Sequence, residues 1–68
     1  MQSQITVNGA VHPCADIACV RDLVAALALD TRKIAIEQNG AIVPRSQYDA
    51  TPVAPGDIIE IVGFIGGG

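Results

Sequence analysis

The residues best placed to do chemistry stand at the end of the chain, Gly66-Gly67-Gly68. At roughly 7% average usage, three glycines at a fixed place arise by chance about once in 3000 chains. What such an end offers a partner is its carboxylate. With a reference pKa of ~3.3–3.7 that group is ionised at neutral pH, and its delocalised charge makes it a poor electrophile until it is activated. Residues without Cβ let the backbone thread a narrow channel and take φ/ψ values closed to other residues, so Gly66 and Gly67 would supply reach and Gly68 the reacting group. The remaining reactive side chains assemble no catalytic set: a single histidine, His12, two thiols, Cys14 and Cys19, and scattered carboxylates cannot fill the roles of nucleophile, base and oxyanion donor. His12, Cys14 and Cys19 could in principle furnish three zinc ligands. Cys19 lies beyond a turn from the other two, however, and no second Cys or His pair completes the set, so no metal site is expected. Cys14 suits a small buried hydrophobe, while Cys19, close to a helix start, is the thiol more open to oxidation.

The elements that must position this end follow from periodicity. Gln4-Ile5-Thr6-Val7 alternates polar and apolar as a half-buried strand does, and Asn8-Gly9 is a strong hairpin signal. A second strand should run from Ala10 to Cys14, with Pro13 placing it at an edge because proline donates nothing to a ladder. From Val20 the period changes: Val20, Leu23, Val24 and Leu27 fall at i, i+3, i+4 and i+7, one face of an α-helix. Cys19 holds the capping position, where its weak sulfur acceptor should cap poorly, and Asp22 in the first turn suits the helix dipole. Alternation returns in Lys33 to Glu37, and Gln38-Asn39-Gly40 turns the chain into a short strand, Ala41 to Val43, stopped by Pro44. Arg45 to Ala54 should be irregular, with one 3₁₀ turn around Ser46-Gln47-Tyr48. Pro55-Gly56-Asp57 is a turn that launches the last strand, Ile58 to Val62, and Asp57 is assigned to the turn itself.

In that last strand Glu60 would be costly to bury unpaired, so Ile59 and Ile61 are expected to face the core. Ile58 and Val62, followed by Phe64 and Ile65, then form an exposed apolar streak leading into the glycines. Such a streak on a small acidic chain marks a contact surface, with Phe64 as an aromatic anchor for a partner pocket. Arg45 is expected to be solvated.

Composition narrows the class. The 68 residues make one domain near the lower limit for a single hydrophobic core, and Tyr48 and Phe64 are the only aromatic residues, which leaves little for stacking on a base or a cofactor ring. A net charge of −3, with basic residues only at Arg21, Arg32, Lys33 and Arg45, excludes a nucleic-acid binder. Neither a secretory start nor an apolar run long enough for a membrane span is present, so a cytoplasmic protein with reduced cysteines is expected, monomeric when free. The element order makes an α+β architecture, one helix laid across one face of a mixed sheet of four to five strands.

This order, the glycine end, and the stretches Val20-x-Asp22-Leu23, Ala35-Ile36-Glu37-x-Asn39-Gly40-x-Ile42-Val43-Pro44-Arg45-Ser46 and Gly56-Asp57-x-Ile59-Glu60-Ile61-Val62 resemble the ubiquitin-like β-grasp sulfur carriers. Among these the chain is most similar to the ThiS family of thiamin thiazole biosynthesis. Two positions depart from that pattern: Cys19 stands where a capping Thr is common, and Cys14 where an aliphatic residue is usual. The resemblance implies that a ThiF-like adenylating enzyme spends ATP to convert the Gly68 carboxylate to an acyl-adenylate. A sulfur donor protein then leaves a thiocarboxylate, and a ThiG-like thiazole synthase takes the sulfur. On this reading the chain is a co-substrate, not an enzyme, and binds no cofactor of its own. The small subunit of molybdopterin synthase, a carrier for another sulfur acceptor, a ubiquitin-like modifier and an interaction module with an idle tail are the alternatives.

Overall fold

The structure, a computed structural model, describes residues 3–63. The order of elements is β1 (Gln4–Val7), β2 (Ala10–Pro13), α1 (Val20–Ala26), β3 (Ile34–Gln38), β4 (Ala41–Val43), a 3₁₀ helix (Arg45–Ala50) and β5 (Ile58–Gly63). The expected elements are all present. β2 ends one residue earlier than its sequence suggests, β3 is displaced one residue towards the C-terminus, and the 3₁₀ segment is longer than a single turn.

Five strands form one mixed sheet in the order β2-β1-β5-β3-β4. β5 lies at its centre, parallel to β1 and antiparallel to β3, while β2 and β4 are the edges. Pro13 therefore sits on an edge strand, as a residue without an N–H must. Both hairpins close through Asn-Gly pairs, Asn8-Gly9 and Asn39-Gly40. All four residues have positive φ between 50° and 87°, the backbone that a two-residue type I′ turn needs to match strand twist. At the start of β5, Gly56 has φ 90° and the Asp57 N–H donates to the Ala54 carbonyl at 3.1 Å, a turn with Pro55 and Gly56 at its centre.

One face of the sheet is the core. Ile5, Ile36, Val43 and Ile59 project from it against Val20, Leu23 and Val24 of α1, with Tyr48 of the 3₁₀ helix and Ile17 closing the sides. Seven residues of helix would be marginal alone, so α1 owes its stability to this packing. Ile59 is fully buried and Ile61 packs partly against the same core, as the cost of burying Glu60 requires. Cys14 is buried among these residues and free.

The two ends of α1 are held differently. At the start, the Asp22 carboxylate accepts the N–H groups of Ala18 at 2.9 Å and Cys19 at 3.3 Å, which ties the segment before the helix to its first turn. The same contacts, Ala18 first, hold the Asp22 carboxyl below the usual range against the opposing effect of desolvation. At the end, Leu29 N–H donates to Val24 C=O and Ala28 N–H to Ala25 C=O, the paired bonds of a Schellman motif. Its left-handed position, almost always glycine, is Ala28 with φ 54°. An L-residue there carries a steric cost of roughly 1–2 kcal/mol. Ala28→Gly is expected to raise stability by about 0.5–1 kcal/mol, since relief of that cost exceeds the entropy glycine gains in the unfolded chain. Urea unfolding of both proteins checks it.

Candidate functional site

β5 ends at Gly63, immediately before the residues that the sequence marks for chemistry, so the site is built outward from this strand. The strand is gripped near both ends by the asparagines of the two hairpin turns. At its start, Asn39 N–H donates to Ile58 C=O at 2.7 Å, and Ile58 N–H donates to Asn39 Oδ1 at 2.9 Å. Farther along, β1 has already turned away at Val7. The Asn8 side chain takes over its ladder position: Ile61 N–H donates to Asn8 Oδ1 at 2.7 Å and Asn8 Nδ2 donates to Ile61 C=O at 3.2 Å. A carboxamide carries one acceptor and a donor side by side, so it pairs with a strand as a peptide group does.

Asp57 locks the turn before β5. Its Oδ2 accepts from Gln38 Nε2 and Ala54 N–H, both at 2.9 Å, and its Oδ1 accepts from Asn39 Nδ2 at 3.1 Å. Desolvation pushes this carboxyl up, but the donors from Ala54, Asn39 and Gln38 together outweigh it and hold it below the ordinary range. Asp57 is thus the turn residue expected from sequence and also the junction of three segments.

The face of the sheet opposite the core is open. Ile58 and Val62 lie on it, 53% and 51% exposed, as the alternation in β5 predicts. They do not make an unbroken streak, because Glu60 stands between them on the same face. Two large apolar residues that the sequence reading did not place there join them: Val11 of β2, 67% exposed, and Ile42 of β4, 61% exposed. Their strands were legible but their faces were not, since a short strand gives no decisive alternation. With no side chain beyond Ile65 to anchor it, the sequence predicts a flexible tail over about residues 63–68; Phe64, Ile65, Gly66, Gly67 and Gly68 lie outside the described residues.

The other candidates stay apart. Cys14 is buried and Cys19 half-buried, both free thiols, and among the described residues no group of three His, Cys, Asp or Glu side chains could hold a metal ion. Arg21 pairs with Asp49 at 3.0 Å on the helical side, and Arg45 is exposed, with one long contact of 3.5 Å to the Thr31 carbonyl. No helix among the described residues is long and apolar enough to cross a membrane.

Comparison with known proteins accounts for this arrangement. The model of the ThiS family matches residues 5–68, nearly the whole chain. The chain belongs to the ThiS family. It is 34% identical over 53 residues to the "Sulfur carrier protein ThiS" of Bacillus subtilis, covering 78% of this chain and 80% of that protein. It is also 42% identical over 65 residues to a "Thiazole synthase" of Paramagnetospirillum magneticum, covering 96% of this chain and 20% of that protein, and a second thiazole synthase, from Magnetococcus marinus, matches in the same way at 37%. The chain therefore spans about a fifth of the length of these two relatives. The crystal structure of the thiamine biosynthesis protein ThiS of Geobacter metallireducens superposes with a TM-score of 0.82 at 34% identity, covering 96% of this chain and 99% of that one. The fold is thus the ubiquitin-like β-grasp of this family, with five strands in its sheet.

Two consequences are measurable. Asn8→Gly keeps the turn's positive φ and removes both bonds to Ile61, so it should cost about 1–2 kcal/mol and speed amide exchange at Ile61 above that at Ile59. Acid stability should follow the depressed carboxyls, among which Asp30 sits at about 2, held mainly by Arg32. Groups with lowered pKa stabilise the fold above the unfolded value of ~3.9, and that contribution fades as pH falls through the folded value. Asp57→Asn should therefore be less stable than the parent at pH 7 and approach it as pH drops below that range, which paired urea titrations would show.

Proposed function

We propose that this chain is a sulfur carrier protein, a co-substrate and not an enzyme, whose Gly68 carboxylate becomes a thiocarboxylate and delivers sulfur for thiamin thiazole formation. The observation that carries the reading is membership in the ThiS family along residues 5–68, with the glycine end included in the match. What favours the thiazole branch over a molybdopterin synthase subunit or a protein modifier is that the named relatives include a sulfur carrier ThiS and two thiazole synthases.

The chemistry divides between carrier and partners. An ATP-dependent, ThiF-like adenylating enzyme brings a Gly68 carboxylate oxygen onto the α-phosphorus of ATP, and pyrophosphate leaves. The resulting mixed anhydride has a good leaving group on its carbonyl. Sulfide adds to that carbonyl, AMP departs with the electron pair of the carbon–oxygen bond, and loss of the sulfur-bound proton leaves the thiocarboxylate. Its sulfur is the nucleophile that a ThiG-like thiazole synthase then uses. The chain contributes an unhindered acyl end through Gly66 and Gly67, and a docking face through Ile58 and Val62, with Phe64 and Ile65 beside the tail as further anchors. It holds no cofactor; ATP is consumed by the partner. The free carrier acts as a cytoplasmic monomer.

Intact mass after incubation with ATP, a sulfide source and the adenylating enzyme tests the reading. The chain should gain the mass of one oxygen-to-sulfur exchange at Gly68, while Gly67→Val, with a β-branched side chain in the threading segment, should form the product at least tenfold more slowly with its fold intact. Ladders of conjugates to other proteins would instead identify a modifier. No mass change in the parent would overturn the reading.

A further inference from the structure

The asparagines that grip β5 are each followed by glycine, and that pairing has a chemistry of its own. A glycine nitrogen, with no Cβ beside it, attacks a preceding asparagine side chain with less hindrance than the nitrogen of any other residue. Asn39 and Gly40 are both exposed at the tip of the β3–β4 hairpin, so water reaches them freely. What opposes the reaction is how the Asn39 carboxamide is engaged. Its Oδ1 accepts from Ile58 N–H at 2.9 Å, and its Nδ2 donates to Asp57 Oδ1 at 3.1 Å. Both ends of the carboxamide are thus fixed by the start of β5, 19 and 18 positions away in sequence. The Asn39 N–H adds a further bond to Ile58 C=O at 2.7 Å. Attack requires the side-chain carbon to swing towards the Gly40 nitrogen, which breaks both carboxamide bonds.

We propose that Asn39-Gly40 is a site of spontaneous deamidation that the contacts with Asp57 and Ile58 hold in check, and that its aspartyl product releases the start of β5. The Gly40 nitrogen adds to Asn39 Cγ and a carbon–nitrogen bond forms. Nδ2 leaves as ammonia, taking the proton from the Gly40 N–H, and a succinimide ring remains. Water then opens the ring. Addition at the side-chain carbonyl gives an aspartyl residue, and addition at the main-chain carbonyl gives an isoaspartyl link that lengthens the backbone of the turn by one carbon. In the aspartyl product a carboxylate oxygen replaces Nδ2 opposite Asp57 Oδ1. Two acceptors of like charge then meet where a donor and an acceptor stood. Asp57 cannot turn away, since its Oδ2 is committed to Gln38 Nε2 and Ala54 N–H, both at 2.9 Å. Asn8 provides the comparison within the same chain. It too is exposed and precedes a glycine, but its Nδ2 donates to the Ile61 carbonyl, a neutral acceptor. Deamidation there removes one bond and sets no carboxylates face to face. The turn at Asn39 is therefore the one that couples chemical ageing to the strand before the glycines.

Timed incubation of the full chain in mildly alkaline buffer, followed by peptide mass mapping of both turns, tests this. In urea, where neither carboxamide is held, Asn39 and Asn8 should convert at similar rates. In the folded chain conversion at Asn39 should be slower by about tenfold or more, because the reactive form is reached only by local opening. Asp57→Ala removes the acceptor for Asn39 Nδ2 and should raise the rate at Asn39 about fivefold relative to Asn8 in the same molecules. That ratio separates local release from global unfolding, which speeds both sites. Asn39→Asp, which makes the product directly, should lower the urea midpoint more than Asn8→Asp does. Combining it with Asp57→Asn sets a donor opposite a carboxylate again, with the polarity exchanged, and should recover most of the loss. Equal rates at Asn39 with and without urea, or an Asp57→Ala chain that converts faster at both sites alike, would overturn the protection. An Asn39→Asp chain as stable as the parent, or one that Asp57→Asn fails to rescue, would overturn the release of β5.

Discussion

The hydrogen bonding of β5 is the constraint on which the rest of the structure depends. A central strand needs partners on both sides along its whole length, and the connections of this short chain do not supply them. β1 runs beside β5 only at Thr6 and Val7 before the hairpin turns it away. Asn8 closes the gap with its carboxamide, and Asn39 does the same at the other side of the strand's start. Both asparagines sit where a type I′ turn requires positive φ. One residue type therefore meets two demands at once, turn geometry and ladder completion.

Fixing β5 divides the molecule. Its odd residues, Ile59 and Ile61, join the core beneath α1, and its even residues, Ile58, Glu60 and Val62, join an open face with Val11, Ile42 and Glu37. The core face accounts for stability through aliphatic burial, since among the described residues Tyr48 is the only aromatic one in it. The open face does not serve stability, because it leaves large apolar groups in water. In the proposed carrier this separation lets docking and acyl chemistry change without disturbing the fold.

Much of this was legible in the sequence, for identifiable reasons. The period of two in Gln4 to Val7 and in Ile58 to Val62, the period of 3.6 from Val20, and the Asn-Gly pairs are local signals with direct geometric meaning. The solvation cost of Glu60 chose the buried face of β5. What escaped depended on contacts between distant segments. The faces of Val11 and Ile42 follow from register with β1 and β3, and the opposition of Glu37 and Glu60 follows from pairing residues 23 positions apart. The grip of Asn8 on Ile61 spans 53 positions. Asp57 shows both sides: its turn was readable, but its role as an acceptor for Gln38 and Asn39 was not. At the helix start, Cys19 in place of a hydroxyl residue pointed to a weak cap, and the structure places the compensation on Asp22.

The account's central claim is that the face organised by β5, and not the helical face, meets the partner. Amide chemical-shift mapping of the isotope-labelled chain during titration with thiazole synthase tests it most directly. The account predicts that shifts concentrate at Val11, Glu37, Ile42, Ile58, Glu60 and Val62, with the surface formed by Arg21, Ala25, Arg45 and Asp49 unchanged. Shifts concentrated on that second surface, with the open sheet face silent, would contradict it.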